Sequence, residues 1–524
     1  MKRGFVGNLS TVGGFTLISR ILGFARDIVF ATHFGAGFGM DAFLVAFKIP
    51  NFGRRLFAEG AFSQAFVPVL SEYRATRSEE EVRDLVSRTE GSLATVLVLI
   101  TAVGVLATPI FIWMFAPGFH ANPPKFELAT GLLRLTFPYL LFISLVAMAG
   151  GVLNTHGSFG PPAFAPVFLN AAFIIAAIVV APHLVEPGYA LAGAVLVAGV
   201  LQLALQLPYL ARHRMLVRPR LGFAHAGVRR IFRLMIPVMF GASVTQLNLL
   251  VDTVIASFLA SGSVSWLYYS DRLMEFPLGV FAVALGTIIL PGLASHHARG
   301  EHGSYSAVLD RALRLTVLTM PVAAVVLIVL AGPLVATLFG YGEFSRHDVY
   351  MAAASVMTYA VGLTAFALVK VLSPAYFARQ ETRKPVRIGI LAVSVNLALN
   401  GVLVVPWALA GGTAPHAGIA FSTSVAALVN AALLWWGLRR QGIYAPVRGW
   451  VRFLLRIGVA CVVMGGAVWL AAGRLSTWLG WSGKERALHL ALIMLGGACV
   501  YLLALALTGL RPRHLRLGGG EAAS

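Results

Sequence analysis

The chain has 524 residues, 58% of them hydrophobic and only 12% charged, where a soluble domain carries about 25% charged residues. With a mean hydropathy of +0.81, it has too few Asp, Glu and Lys to cover a watery surface, which excludes soluble enzymes and secreted disulfide scaffolds. The net charge of +20 would suit nucleic acid only if the basic residues formed a surface stripe, so their placement along the chain decides what it means.

Apolar windows of about 20 residues, the length that crosses roughly 30 Å of hydrocarbon, recur from Val6 to Leu507. They predict an all-α polytopic integral membrane protein with about fourteen transmembrane helices. These lie near residues 7–32, 40–70, 91–115, 126–153, 162–181, 189–211, 234–259, 264–294, 315–338, 348–377, 388–408, 416–438, 457–473 and 487–508. Met1 to Ser19 opens with Lys2 and Arg3, but Ser10, Gly13 and Gly14 interrupt its apolar part and no small-residue cleavage site follows. It reads as the start of a retained first helix. Breakers such as Pro117-Gly118, Pro161-Pro162, Pro187-Gly188 and Gly411-Gly412 mark short connections. Cys461 and Cys499 sit in apolar runs without Cys-x-x-Cys spacing and read as buried packing residues.

Orientation follows from the basic residues, because short cytoplasmic loops hold an excess of Lys and Arg. With both termini inside, the inner segments hold 28 of the 41 Lys and Arg. The outer segments hold 5, namely Lys125, Arg346, Arg474, Lys484 and Arg486. That asymmetry accounts for most of the basic charge without nucleic acid. The most basic loop, Arg212 to Arg233, separates an N-terminal lobe of six helices (1–211) from a C-terminal lobe of six (234–438). The linker is 212–233, two further helices occupy 439–510 and a cytoplasmic tail 511–524. Pro68-Val-Leu-Ser71 and Pro291-Gly-Leu-Ala-Ser295 end corresponding windows of the two lobes, as internally repeated transporters would have it.

Eight basic residues fall inside the windows: Arg20, Arg26, Lys48, Arg54, Arg55, Arg134, Arg272 and Lys370. A charge at mid-membrane costs roughly 2.5–3.5 kcal/mol, so Arg20, Arg26, Arg54, Arg55 and Arg272 facing lipid would oppose insertion by on the order of 15 kcal/mol. They must face water, a partner or a substrate. Arg134 and Lys370 read as snorkelling from helix ends or as internally ion-paired. Helical spacing offers Arg20 to Asp27, Arg55 to Glu59 and Arg272 to Glu275 as pairs. With Asp41 and Asp271, the acids of these helices still leave a small basic surplus. Guanidinium binds phosphate oxygens in pairs and stays charged when desolvated, so an anionic, phosphorylated substrate suits this pattern. A structural ion-pair network is the other reading.

Asp252 stands in the seventh window without a basic residue at helical spacing, which by default marks function. Asn396 and Asn400, four apart in the eleventh window, add amide oxygens, and together the three suit Na⁺ or H⁺ as a coupling ion. The alternative is a protonated or hydrogen-bonded Asp252. Neither a P-loop nor His-Glu-x-x-His is present, and no metal or other cofactor is expected. The pair His296-His297 reads as solvated. Glu79-Glu-Glu81, followed by Arg83, reads as a solvated helix face, which disfavours a membrane-embedded sugar transferase.

Three long motifs lie where the charges are: Ser19-Arg-Ile-Leu-Gly-Phe-Ala-Arg-Asp27, Asp41-Ala-Phe-Leu-Val-Ala-Phe-Lys-Ile-Pro-Asn51 and Arg54-Arg-Leu-Phe-Ala-Glu-Gly-Ala-Phe-Ser-Gln-Ala-Phe-Val-Pro68. With the run from Ser261 to Pro277, they resemble the MurJ (MviN) lipid II flippases over nearly the whole chain. The resemblance implies the multidrug/oligosaccharidyl-lipid/polysaccharide exporter fold, with two six-helix lobes around a cationic cavity and a lipid-tail groove on residues 457–508. It implies no enzymatic step. The implied activity is movement of undecaprenyl-pyrophosphate-linked disaccharide-pentapeptide, lipid II, across the bacterial inner membrane by alternating access, for peptidoglycan synthesis. Arg20, Arg26, Arg54 and Arg272 are the implied functional arginines, with Asp41, Ser265 and Glu275 at further marked positions. Asn51, Arg55 and Glu59 lie within the same motifs. Membrane lipids and the peptidoglycan-synthesis machinery are the implied partners. The alternative is an ion-coupled exporter of another polyprenyl-linked oligosaccharide or of a drug, although an arginine-rich interior would repel a cationic drug.

Overall fold

In a computed structural model, residues 2–55, 61–299 and 301–509 are described, without the side chains of 2–11, 240–249, 281–291, 294, 298 and 302. Glu59 and the tail 511–524 therefore lie outside the described residues. Among the described residues every regular element is helical. By internal contacts the chain divides into Met1–Ser265 and Trp266–Ser524.

The first unit holds α1 (Lys2–Phe34), α2 (Phe38–Gly53), α3 (Ser63–Thr76), α4 (Glu79–Leu106), α5 (Thr108–Phe115), α6 (Pro123–Thr136), α7 (Tyr139–Thr155), α8 (Gly160–Ile175), α9 (Gly188–Arg212) and α10 (Ala226–Ser257). Pairs α1/α8, α7/α9, α8/α9 and α2/α6 pack against one another. The start of α11 (Ser263–Ala298) also belongs to this unit. The second unit holds the rest of α11, then α12 (His302–Val329), α13 (Ala331–Leu338), α14 (Arg346–Phe377), α15 (Arg383–Leu399), α16 (Val405–Leu409), α17 (Pro415–Arg440), α18 (Trp450–Ala472), α19 (Leu475–Gly480) and α20 (Gly483–Leu507). Its closest pair is α14/α17, where Gly362 lies so near that a Cβ would stand 2.6 Å from Ser424 Cα.

Ten helices among the described residues are long and apolar enough to cross a membrane. The four other windows coincide with α1, α2 with α3, α10 and α11, the helices that carry Arg20, Arg26, Asp41, Asp252 and Arg272. Helix starts are set by local chemistry. Ser78 with Glu81, Ser345 with Asp348 and Ser482 with Glu485 form reciprocal caps at α4, α14 and α20, and Asn122 caps α6. The two fifth windows share a feature that hydropathy does not show: α8 runs into a π-turn at Ala176–Val180, and α15 into one at Asn400–Val404. Such turns often mark functional sites, and their matched positions agree with an internal repeat. Cys461 is buried as expected, but Cys499 is exposed because it stands on the outward face of α20, where apolar side chains also point outward.

Candidate functional site

In the first unit, the charges at Arg26, Asp27, Asp41 and Lys125 are engaged. On α1, Arg26 donates Nη2 and Nε to Asp27 Oδ1 at 2.6 and 2.9 Å, and Nη1 to Asn170 Oδ1 of α8 at 3.1 Å. Asn170 Nδ2 donates to the Ser19 carbonyl at 3.0 Å. The guanidinium also faces the rings of Phe30 and Phe173 at 5.6 and 5.7 Å. The seven-residue spacing pointed to Arg20 as the partner of Asp27; instead the adjacent Arg26 folds back onto the carboxylate. Asp27 is buried, 2% exposed, whereas Arg20 is exposed and pairs with no described residue. Asn170 was not foreseen, and its one signal is an amide within an apolar run.

On α2, Asp41 is 1% exposed and accepts four hydrogen bonds beyond its own turn. Lys125 Nζ donates to Oδ2 at 2.8 Å, Gly262 N–H to Oδ2 at 2.8 Å, and Ser265 N–H and Oγ–H to Oδ1 at 2.9 and 2.6 Å. Lys125 also reaches Ser261 Oγ at 3.2 Å and lies 4.5 Å over the Phe119 ring. Read from sequence as an outer-loop charge, Lys125 is a buried ion-pair partner, because the Asn122 cap starts α6 before it. Lys48 donates to Thr253 Oγ1 of α10, the residue after the buried Asp252. Asp252 thus has a cation close to its helix that spacing within one helix could not reveal. Arg54 Nε donates to Asn51 Oδ1 at 2.9 Å, and Arg55 is half-buried.

In the second unit, Arg272 pairs with Glu275 at 2.6 Å, as the spacing predicted, and lies 4.9 Å over the Tyr268 ring. Both side chains are reachable, 29% and 49% exposed. Earlier on the same helix, Trp266 Nε1 donates to the buried Asp348 at 2.7 Å, and its ring packs against His416 at 4.8 Å. Asn396 and Asn400 are fully buried, and Asn400 Nδ2 donates to Asn396 Oδ1 at 3.2 Å. Asn400 Oδ1 is buried without a hydrogen-bond partner among the described residues. No group of three or more His, Cys, Asp or Glu arranged for a metal occurs among them. His296 is not merely solvated, since its Nδ1 meets Glu301 Oε2 at 2.7 Å. That contact, with Arg299 nearby, holds the Glu301 carboxyl below its usual range. Arg134 and Lys370 are exposed; Arg134 Nε donates to Thr108 Oγ1 at 3.2 Å, and Lys370 stands seven residues before the end of α14.

The arrangement offers guanidinium groups whose present partners are a carboxylate, an amide or an aromatic face. A phosphate oxygen can replace any of these without leaving the cation unpaired.

The family described as "Lipid II flippase MurJ" matches residues 30–486. A probable lipid II flippase MurJ of Vibrio cholerae is 44% identical over 96% of this chain and 96% of its own length. A lipid II flippase MurJ of Burkholderia cenocepacia is 45% identical over 95% of each. Among solved structures, a lipid II flippase MurJ in an inward closed conformation superposes with a TM-score of 0.80 at 24% identity, covering 96% of this chain and 99% of that one. An inward-facing multidrug resistance MATE transporter of the MOP superfamily gives 0.68 at 14%, covering 83% and 98%, which shows a shared fold.

Proposed function

Since the chain belongs to the MurJ family of lipid II flippases, we propose that it moves lipid II from the cytoplasmic to the periplasmic leaflet of the bacterial inner membrane. The observation that carries this reading is identity of 44% and 45% to flippases of the family over nearly the full length of both proteins. Transport, with no bond made or broken, is the activity we infer, and it serves peptidoglycan synthesis by alternating access.

The charge chemistry supports a pyrophosphate cargo. Arg272 is the group we assign to the phosphates first, because Glu275 beside it is the most exposed of the paired acids in these helices and is readily displaced. Arg26 would exchange Asp27 for phosphate, and Arg20 is exposed. Asn51 on α2, with Arg54 and Arg55 just after its end and Glu59, is assigned a supporting role, and Asp41 and Ser265 hold the backbone near the start of α11. Each acid is a competitor that takes the arginine back when the cargo leaves. A head group carrying negative charge moves outward down a potential that is negative inside, with about 2.3 kcal/mol per charge per 100 mV available.

For coupling, we propose Na⁺ or H⁺ acting at Asp252 in the first unit, and Asn396 and Asn400 as a separate oxygen-rich pair in the second. A hard cation takes carboxylate and amide oxygens, and the orphaned Asn400 Oδ1 is such an oxygen. The peptidoglycan-synthesis machinery is proposed as the protein partner.

Complementation tests the function. The resident flippase of a Gram-negative cell is depleted, and this chain, its Arg272→Ala variant or its Asp252→Asn variant is expressed at matched membrane levels while lipid II on the outer leaflet is assayed. The intact chain is expected to restore exposure and growth, Arg272→Ala to fail, and Asp252→Asn to lose any dependence on the ion gradient. Failure of the intact chain despite insertion would shift the cargo to another anionic polyprenyl lipid.

A further inference from the structure

Between α9 and α10 the chain could have been a mobile loop, but it is strapped to α4 through its backbone. Arg220 N–H donates to the Ser87 carbonyl at 3.0 Å, Ser87 Oγ–H to the Arg218 carbonyl at 2.5 Å, and Gly222 N–H to Ser92 Oγ at 3.0 Å. Gly91 makes this approach possible, since a Cβ there would overlap the Arg220 backbone. From 215 to 222 the strap has no helical turn; its side chains alternate between outside and inside only up to Arg218, and from Arg218 to Leu221 all of them are exposed. Met215 is buried and Val217 packs against the cluster that contains Leu85 and Val86, while Arg214, Leu216, Arg218 and Arg220 point out.

The outward edge has an unusual composition. Leu216, Leu221 and Phe223 are 52%, 65% and 49% exposed, interleaved with Arg214, Arg218 and Arg220, whose guanidinium groups pair with no described residue. Apolar side chains and unpaired cations on one rigid edge fit the boundary between acyl chains and phosphates, where each finds its own solvent. Position agrees: the strap starts directly after α9, a 25-residue membrane-crossing candidate that ends at Arg212, so it leaves the bilayer at head-group depth. A soluble acidic partner would pair with the arginines but leave three large apolar side chains in water.

We propose that residues 214–223 form a docking edge for anionic phospholipid head groups of the cytoplasmic leaflet, with Leu216, Leu221 and Phe223 inserted beside phosphates held by Arg214, Arg218 and Arg220. The edge does not depend on which lipid is carried. The full chain, as Cys499→Ser with Leu221→Cys labelled by a small fluorophore, is reconstituted in vesicles of phosphatidylcholine and phosphatidylglycerol, with bromine on one lipid or the other at equal mole fraction. Brominated phosphatidylglycerol is expected to quench more than brominated phosphatidylcholine. Each arginine replaced by Gln is expected to lower the preference roughly fivefold, and three Lys in their place to keep it. Equal quenching by both lipids would overturn the proposal, as would no quenching by either, which would put the edge in water and point to a cytosolic partner. Unchanged thermal unfolding of the exposed-site Gln variants separates lost docking from lost folding.

Discussion

Two buried cations, one in each unit, are held in opposite ways. Lys125 in the first unit meets a carboxylate, Asp41 Oδ2, at 2.8 Å. Arg486 in the second meets only carbonyls and a ring: Trp478 O at 2.8 Å, Ala336 O at 2.9 Å, Gly340 O at 3.1 Å and Leu479 O at 3.2 Å, with Tyr341 beneath at 5.6 Å. Its acceptors are the last carbonyls of α13 and α19 and of the turns after them, where helix dipoles concentrate negative potential. A carboxylate can be protonated or traded for another cation, whereas a helix end cannot. The carboxylate-held charge lies on α6 against α2, the helix that carries Asp41 and leads into Arg54 and Arg55, and the carbonyl-held charge ties α20 to α13 and α19. An exchangeable pair suits a site whose partners change, the role we propose for the arginines next to Asp41, whereas a permanent one suits a helix that must stay in place.

Removing the permanent partner should cost most. Arg486→Ala leaves four carbonyls without their donor in a buried site, and we expect about 5 kcal/mol of lost stability, read as a collapse of purified yield and melting temperature. Near-normal melting would break the distinction. Lys125→Met should cost about 3 kcal/mol by leaving Asp41 charged and buried, and adding Asp41→Asn should restore at least a third of that. A double variant no more stable than Lys125→Met alone would show that the pair is not coupled.

The smallest effect sharpens the comparison with a third group, outside the membrane-crossing segments. His156, half-buried after α7, is held below the usual imidazole range by burial first, then by the charges of Arg74 and His213; its ring lies 5.3 Å from that of His213. The Val152 carbonyl and, more weakly, the charge of Glu79 pull the other way, but burial dominates, so the fold resists this proton. Because the unfolded chain takes up that proton first, stability should be full above about pH 6.5 and decline as pH falls through the lowered native value. His156→Gln should flatten this part of a melting-temperature profile, and an unchanged slope would assign it to other groups.

Much of the candidate site was legible because a charge in an apolar run is conspicuous to arithmetic alone. Arg20, Arg26, Arg272 and Asp252 were found that way, and Glu275 was found by helical spacing. Lys125 and Arg486 were counted as outer-loop charges because hydropathy windows begin with apolar residues, whereas the helices begin a turn earlier, at the Asn122 and Ser482 caps. Asn170 on α8 and Lys48 on α2 were unreadable as partners, because each meets a residue far away in sequence.

By itself the sequence determined that the chain lives in a membrane, which helices carry ions and which family its motifs resemble, and its charge asymmetry predicts an orientation. These are properties of composition and short-range order, summed along the chain. Only the tertiary structure decided the partners: that Asp27 holds Arg26 and not Arg20, that Asp41 holds Lys125, and that Arg486 rests on helix ends. A buried charge is stabilised by whatever lies within about 3 Å of it, and packing, not spacing along one helix, selects that neighbour.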